Sequence, residues 1–203
     1  MPASRQQDAH LQRARTRVEP RFFDDLYAGS EDPWAFATSA YEREKYGHTL
    51  AALGGRRFGR ALEIGCSIGV FTEQLAAIST ELLAIDVSAL ALARARRRLG
   101  SRPGVSFARM TFPEAMPDGP WRLIVCSEVL YYLDPPAFAL ALERLKIGLA
   151  DGATVLAVHW RGPTETYPLR GDEVHDRLVS ELGPWHVLDD ARPQYRLDRF
   201  EGS

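Results

Sequence analysis

Short apolar runs alternate along the chain with longer stretches of helical periodicity. Two closing runs, 185–188 and 194–201, are joined by a polar turn and predict an antiparallel pair. Five runs precede them, at 61–64, 82–85, 105–107, 122–126 and 153–158. Strands that alternate with helices are typical of a mostly parallel sheet that binds ligands at the carboxyl ends of its strands. The pattern predicts an α/β, Rossmann-like fold: seven strands, helices on both faces and an antiparallel last strand.

The part of the chain before the first apolar run has a different texture and contains no good strand. Residues 1–20 are rich in Arg and Gln with little periodicity, which predicts a flexible N-terminal segment. Aromatic and charged residues follow, and residues 21–58 are expected to form a helical cap on the sheet. We therefore predict a single domain over 21–203, with the Rossmann-like core at 59–203.

The first apolar run leads into a turn of small residues and then a helix start, Glu63-Ile64-Gly65-Cys66-Ser67-Ile68-Gly69. Because glycine lacks a Cβ, such a turn lets the backbone approach a ligand closely. The second run ends at Asp86, about 20 residues further on, which is the spacing of an acid that holds ribose hydroxyls. Together these features indicate half of a nucleotide-binding α/β site.

The turn also resembles two other motifs in part. The dinucleotide fingerprint requires Gly at its third and sixth positions, where this chain has Ser67 and Val70, so NAD is disfavoured. The turn also fits G-x-S-x-G, the nucleophile elbow of serine hydrolases. That alternative uses Ser67 as nucleophile with His159, His175 or His186 as base. It is the less favoured one, because several strands precede the elbow in hydrolases.

Other polar side chains also fall where predicted strands end. Glu63, Asp86, Glu128 and His159 all occupy such positions, and strand ends converge on one crevice in an open sheet. Each alone has a structural explanation, such as a helix cap for Asp86 or a packed strand-end histidine. The spacing of Glu63 and Asp86 favours ligand binding.

The composition and charge of the chain give no indication of a nucleic-acid or membrane partner. The 203 residues are 45% hydrophobic with a net charge of −2, which provides no general field for nucleic acid or membrane. No apolar run approaches the roughly 20 residues of a membrane span, and no secretory signal is evident. Cys66 and Cys126 are expected to be reduced and buried in a cytoplasmic protein. The arginines Arg94, Arg97 and Arg98 lie opposite an apolar helix face and are expected to face solvent.

The acid-x-Gly-x-small-x-Gly pattern resembles the first motif of class I S-adenosylmethionine-dependent methyltransferases. Within that class, the chain from about Phe22 to Phe200 resembles the NodS-type methyltransferases of nodulation-factor synthesis. The resemblance rests on Asp32-Pro33-Trp34, the Tyr41-Glu42 and Lys45-Tyr46 pairs, Glu63-Ile64-Gly65-Cys66 and Ser127-Glu128-Val129-Leu130-Tyr131-Tyr132-Leu133.

This resemblance implies S-adenosylmethionine as the cofactor. The implied cofactor-binding residues are Glu63, Gly65, Cys66, Ser67, Gly69, Asp86, Val87, Met110, Thr111 and Ser127. Gly65 and Gly69 would pass beside the methionine part, and Asp86 would bind the ribose. Val87, Met110 and Thr111 would flank the adenine, although the class often has an acid where Met110 and Thr111 stand.

The resemblance also implies the acceptor. NodS-type enzymes N-methylate the deacetylated terminal glucosamine of a chitin oligosaccharide, so a small polar acceptor, foremost an amino sugar, is expected. An O- or N-methyltransferase of another natural product is the alternative. The base for an amine acceptor is expected among Glu128, His159 and His175. The aromatic residues expected to wall the acceptor are Trp34, Tyr41, Tyr131, Tyr132 and Trp160. No metal site is expected.

Overall fold

A computed structural model describes residues 16–164 and 166–203. Seven strands form one sheet in the order β3-β2-β1-β4-β5-β7-β6. Strands β1 to β5 are mutually parallel, and β7 runs antiparallel to both β5 and β6. The predicted Rossmann-like seven-stranded fold is therefore confirmed. The strands are β1 (Phe58–Ile64), β2 (Ser79–Asp86), β3 (Val105–Arg109), β4 (Leu123–Ser127), β5 (Thr154–Trp160), β6 (His186–Ala191) and β7 (Tyr195–Glu201).

Helices cover both faces of the sheet. The helices are α1 (Pro20–Gly29), α2 (Ala40–Ala51), α3 (Val70–Ile78), α4 (Ala89–Leu99), α5 (Pro135–Ala150) and α6 (Gly171–Leu182). Ser88 and Asp134 cap α4 and α5 by accepting backbone N–H bonds, as their side chains predict. Short 3₁₀ turns at Leu130–Tyr132 and Gly183–Trp185 complete the connections.

The sheet divides the apolar interior into two main cores. Alternate residues of each strand point to opposite faces, so Leu62 and Ile64 pack with α5 and α6, whereas Ala61 packs with α2 and α3. The central strands β4 and β5 are buried along nearly their whole length, which explains their continuous apolar sequences. The edge strand β6 alternates half-buried and exposed residues.

The cap consists of α1 and α2, joined by turns around residues 31–39. Asp32 accepts backbone bonds from Phe36 and Ala37, so the Asp-Pro pair makes a turn and not a helix start. After α2, residues 52–57 lead into β1. Most of the predicted flexible segment 1–20 lies outside the described residues.

Two of the arginines on α4 hold other parts of the chain in place. Arg94 donates to the carbonyls of Tyr27 and Ser30 at 2.6 and 2.9 Å, which ties the end of α1 to α4. Arg98 donates to the carbonyl of Ile68 at 3.0 Å. The expectation of a wholly solvated arginine face is therefore wrong for Arg94, which is half-buried, whereas Arg97 and Arg98 are exposed as expected. A carbonyl acceptor across a helix contact leaves no signal in the local sequence.

Among the described helices, none is both long and apolar enough to cross a membrane. Cys66 and Cys126 are both free and buried, as expected.

Candidate functional site

A cavity of about 390 Å³ opens where β1, β2 and β4 end, beneath the N-terminal cap. In a parallel sheet this position is the usual ligand site, because the loops after neighbouring strands diverge there. The wall on the β1–β2 side contains the turn after β1 and the carboxylates of Glu63 and Asp86, and the wall on the β4–β5 side contains several aromatic rings. The cavity therefore has two chemically different lobes, which we call the strand-turn lobe and the aromatic lobe.

The turn after β1 forms the floor of the strand-turn lobe. Gly65, Ser67 and Gly69 have φ values of +77°, +51° and +80°, so the backbone bends sharply twice within one turn. A Cβ on Gly65 would lie 3.3 Å from the side chain of Val129, and one on Gly69 would lie 3.0 Å from Ala95. Positive φ and close packing therefore both favour glycine at these two positions.

Asp86 ties this turn to the next helix. One carboxylate oxygen accepts from the backbone N–H of Ser67 at 2.9 Å, and the other accepts from that of Ser88 at 2.8 Å. Burial raises the pKa of Asp86, and these backbone donors oppose that shift. Each oxygen retains a lone pair, so the carboxylate can still accept hydrogen bonds from two hydroxyl groups of a ligand.

Glu63 is the least satisfied polar group of this lobe. Its side chain is only 2% exposed, lines the cavity and has one oxygen, Oε2, without a hydrogen-bond partner. Burial raises the pKa of Glu63 to about 8. A buried carboxyl oxygen without a hydrogen-bond partner is costly to the free protein, and a cationic ligand would offset that cost.

The hydroxyl of Ser67 is bonded to a tyrosine. It lies 2.5 Å from the hydroxyl of Tyr27, a residue of α1. Within the described part of the chain, no histidine lines the cavity or hydrogen-bonds to Ser67. A serine nucleophile needs a base within hydrogen-bond reach, so the alternative based on Ser67 has no geometric support.

The aromatic lobe contains a buried charge cluster made by Glu42, Lys45 and Glu128. Lys45 is 1% exposed, and its Nζ lies 3.0 Å from Glu42 and 2.5 Å from Oε1 of Glu128. Burial acts to lower the pKa of Lys45, but the two carboxylates outweigh it and leave that pKa raised. Two carboxylates and one ammonium leave this lobe with an excess of negative charge when all three are ionised.

Glu128 is held in a strained conformation by several donors. Its φ of +55° lies in the left-handed region, which costs free energy for a residue with a side chain. Oε2 accepts from the hydroxyl of Tyr131 at 2.6 Å and from the backbone N–H of Trp160 at 2.9 Å. Oε1, which contacts Lys45, keeps one lone pair for a further donor in the cavity.

Aromatic rings form the rest of this lobe. Tyr41 lies edge-on to Trp160 with 5.8 Å between ring centroids, and its buried hydroxyl has no hydrogen-bond partner. Tyr131 stacks on Tyr167 at 5.3 Å. Ring faces attract cations, so the lobe suits a ligand that carries positive charge and hydroxyl groups.

Most of the residues expected from sequence meet at this cavity. Those on its wall are Trp34, Tyr41, Glu63, Gly65, Cys66, Ser67, Asp86, Val87, Met110, Thr111, Ser127, Glu128, Tyr131, Tyr132 and Trp160. Gly69 is the N-cap of α3 and is not on the cavity wall. His159 and His175 do not reach the wall, because both are fully buried and bonded to each other at 3.1 Å. Their position gives no support to the expectation that either is the base.

Lys45, Glu42 and Tyr27 line the cavity but are absent from the site residues predicted by sequence. A signal existed for the first two, because Glu42 and Lys45 are charged residues among aromatics and share one face of a helix. Nothing local indicated that Glu128, from a distant part of the chain, would join them.

Comparison with known proteins places this geometry in a family. The model of the Nodulation protein S (NodS) family matches residues 24–156. Nodulation protein S of Bradyrhizobium diazoefficiens is 36% identical over 130 residues, which is 62% of this chain and 61% of that protein. The chain spans between about half and three fifths of the length of the four curated Nodulation protein S relatives that it matches.

Solved structures agree with this comparison. The N-methyltransferase NodS from Bradyrhizobium japonicum WM9 in complex with S-adenosylhomocysteine has a TM-score of 0.75 at 24% identity, covering 91% of this chain and 99% of that one. A second structure of that protein has a TM-score of 0.65 at 26% identity, covering 80% and 96%. The chain, with its glycine turn, its strand-end acids and its aromatic lobe, belongs to the Nodulation protein S (NodS) family.

Proposed function

We propose that the protein is an S-adenosylmethionine-dependent methyltransferase that methylates the amine of a small polar acceptor, with a deacetylated amino sugar or oligosaccharide as the favoured substrate. The observation that carries the proposal is the two-lobed cavity. One lobe has the donors and acceptors of a nucleoside site, and the other has a buried anionic cluster surrounded by aromatic rings. The family relationship supports the same reaction.

The residues of the strand-turn lobe fit the cofactor. Asp86 has lone pairs for two ribose hydroxyls, and the glycine turn lets the backbone approach the ligand. The unpartnered oxygen of Glu63 suits the ammonium group of the amino-acid portion. Val87, Met110 and Thr111 offer mainly apolar contact to the adenine ring and lack the acid that often receives its amino group. When bound, S-adenosylmethionine supplies a methyl group activated by a positively charged sulfur.

The protein's own residues then have to hold the acceptor nitrogen in line with the methyl group and exclude water from the site. The ring faces of Tyr41, Tyr131 and Trp160 form a low-polarity wall that favours a cationic or polarised group. The free hydroxyl of Tyr41 can bond a sugar hydroxyl, which would satisfy a buried polar atom. These contacts position the acceptor without any covalent chemistry by the protein.

Glu128 is the residue that we assign to the acceptor nitrogen. Its remaining lone pair on Oε1 can accept a hydrogen bond from an amine or ammonium hydrogen, while Lys45 and Tyr131 fix the carboxylate. An ammonium acceptor must lose a proton before it attacks, and Glu128 would hold that nitrogen while the N–H bond breaks and the proton passes to solvent water. Lys45 limits the negative charge of the lobe, which favours an acceptor with a single positive charge over a more highly charged one.

The test is transfer of a radiolabelled methyl group from S-adenosylmethionine to a deacetylated chitin oligosaccharide. The matched control is the fully N-acetylated oligosaccharide, which has the same hydroxyl groups but no free amine. The proposal expects label on the first and none on the second. Equal labelling of both would show O-methylation, and labelling of neither would refute the favoured substrate.

Glu128→Gln tests the residue assignment. The glutamine keeps the shape and one accepting oxygen but removes the charge, so turnover should fall by about tenfold or more while binding of S-adenosylhomocysteine stays nearly unchanged. A wild-type rate in Glu128→Gln would remove Glu128 from the mechanism.

A further inference from the structure

Beyond the cavity, two histidines and an aspartate form a buried chain of hydrogen bonds that ends at the segment carrying Glu128. We propose that His159, His175 and Asp198 act as a positioning relay: they fix the 3₁₀ turn Leu130–Tyr132, and through it Glu128, in the geometry that the acceptor requires. The catalytic part of this inference rests on the proposed methyltransferase function. The relay assigns to His159 and His175 a role at a distance from the reacting atoms.

The chain of bonds is continuous. The backbone N–H of Leu130 donates to Nε2 of His159 at 3.1 Å. Nδ1 of His159 is 3.1 Å from Nε2 of His175, and Nδ1 of His175 bonds to one oxygen of Asp198. His159, His175 and Asp198 are each 0% exposed, so water cannot replace any of these bonds.

Which atom donates and which accepts in each hydrogen bond of the relay follows from the groups at the two ends of the relay, the Leu130 N–H and the Asp198 carboxylate. A backbone N–H can only donate, so Nε2 of His159 must accept, and a neutral His159 then carries its proton on Nδ1. That proton points at Nε2 of His175, which must also accept, and the proton on Nδ1 of His175 points at the carboxylate. Burial lowers the pKa of His159 well below its ordinary value, which keeps its ring neutral. Asp198 therefore sets the tautomers of both rings.

The carboxylate itself is anchored by groups from two strands. Its second oxygen is 2.6 Å from Nε2 of His186 on β6, and Arg196 on β7 lies 3.3 Å from the first. Arg196 also pairs with Asp176 of α6. The relay thus begins where β6, β7 and α6 meet, at the edge of the sheet formed by β7 and β6.

The other end of the relay touches the aromatic lobe. Leu130 is the first residue of the 3₁₀ turn, and the next residue, Tyr131, donates its hydroxyl to Glu128. The ring of Tyr131 also packs against that of His159 with 5.3 Å between centroids. His159 lies between Val158, whose carbonyl accepts from the N–H of Glu128, and Trp160, whose N–H donates to its carboxylate. Three contacts of Glu128 are therefore made by residues that adjoin His159, in the chain or through its ring.

A strained residue needs such support. Glu128 has a left-handed backbone that persists only when surrounding contacts over-determine it. Losing the acceptor for the Leu130 N–H would leave a buried donor unpaired and release the turn. Small displacements at a reacting centre are expensive, with about a hundredfold in rate for a shift near 1 Å.

The experiment compares His159→Leu with His159→Gln. The glutamine side chain can reach the position of Nε2 and accept from Leu130, whereas leucine cannot. We expect His159→Leu to lower kcat for a deacetylated chitin oligosaccharide by about tenfold or more, with Kd for S-adenosylhomocysteine unchanged within about twofold. His159→Gln should recover most of that kcat at an equal or lower melting temperature. Equal losses in the two variants, or losses that follow melting temperature, would overturn the relay.

Two measurements on the full-length protein do not need activity. Long-range ¹⁵N–¹H spectra should show both His159 and His175 protonated at Nδ1, and Asp198→Asn, which can keep an oxygen towards His175, should preserve that pattern. Hydrogen exchange of the Leu130 amide should accelerate about tenfold or more in His159→Leu and stay slow in His159→Gln. The opposite tautomers, or an unchanged Leu130 amide, would refute the relay. Absence of methyl transfer in the wild type would refute the proposed function alone.

Discussion

The substitution Glu63→Gln should stabilise the free protein while weakening its ligand site. Glu63 is 2% exposed, has an oxygen without a partner and has a pKa raised by burial from 4.5 to about 8. Glutamine has nearly the same shape and no ionisable proton. The difference between the two proteins therefore isolates what it costs to bury this carboxyl group.

The sign and size of the stability difference between the wild type and Glu63→Gln follow from the linkage between proton binding and folding. Between pH 4.5 and 8 the folded protein keeps a proton on Glu63 that the unfolded chain releases, so stability falls as the pH rises. Each pH unit in this window changes the free energy of unfolding by about 1.4 kcal/mol. Relative to Glu63→Gln, the wild type should be less stable by about 1 kcal/mol at pH 5 and about 3 kcal/mol at pH 7.

Urea unfolding followed by circular dichroism at several pH values between 4.5 and 8 measures this difference. Glu81→Gln is the matched control, because Glu81 lies on the exposed part of β2. The free energies of Glu63→Gln and the wild type should diverge as the pH rises, while those of Glu81→Gln and the wild type stay parallel. Parallel curves for Glu63→Gln would refute the reasoning that burial keeps this carboxyl group protonated.

Three further substitutions test the site and its turn. Asp86→Asn must present an amide NH₂ to one of two backbone donors, so Kd for S-adenosylhomocysteine should rise about tenfold or more in calorimetry. Lys45→Met leaves two buried carboxylates without their cation and should cost about 3 kcal/mol at pH 7.5 in urea unfolding. That loss should shrink at low pH, where protonation removes the uncompensated negative charge. Adding Glu42→Gln to Lys45→Met should recover part of the stability. A loss of stability that does not depend on pH would contradict the existence of a buried charge cluster. Gly69→Ala should destabilise by at least about 1 kcal/mol more than Gly54→Ala, which has a similar positive φ but open space around it, and equal losses would show that close packing is unimportant.

Local sequence was sufficient for the parts of the fold that depend on local patterns. The central strands could be predicted because they are buried on both faces and therefore mostly apolar. The strand that ends in Asp86 and the cap at Ser88 follow from spacing and side-chain chemistry alone. Asp86 could be nominated as a ligand residue for the same reason.

The charge cluster could not be derived from local sequence. Lys45 and Glu128 belong to separate elements, and only the packing of α2 against the end of β4 brings them to 2.5 Å. The left-handed backbone of Glu128 has no signal either, since glycine or asparagine would normally mark such a position. A strand-end glutamate was therefore predictable, but its buried cation was not.

The histidines show that local sequence can also suggest a catalytic residue that the fold places away from the cavity. His159 follows a predicted strand and has the side chain most used as a base, so sequence favoured it as a catalytic candidate. The structure turns its ring towards Leu130 and His175, away from the cavity. Which way a strand-end side chain points depends on the pleat of the strand and on the helix packed beside it, and both are set by the tertiary fold.

Calorimetric titration of the purified protein with S-adenosylhomocysteine tests most directly whether the cavity at the ends of β1 and β2 is a cofactor site. We predict saturable heat with one site per chain, together with weaker binding in Asp86→Asn and unchanged binding in Asp118→Asn, an exposed acid outside the cavity. No heat and no rise in melting temperature with an excess of S-adenosylhomocysteine would contradict the account.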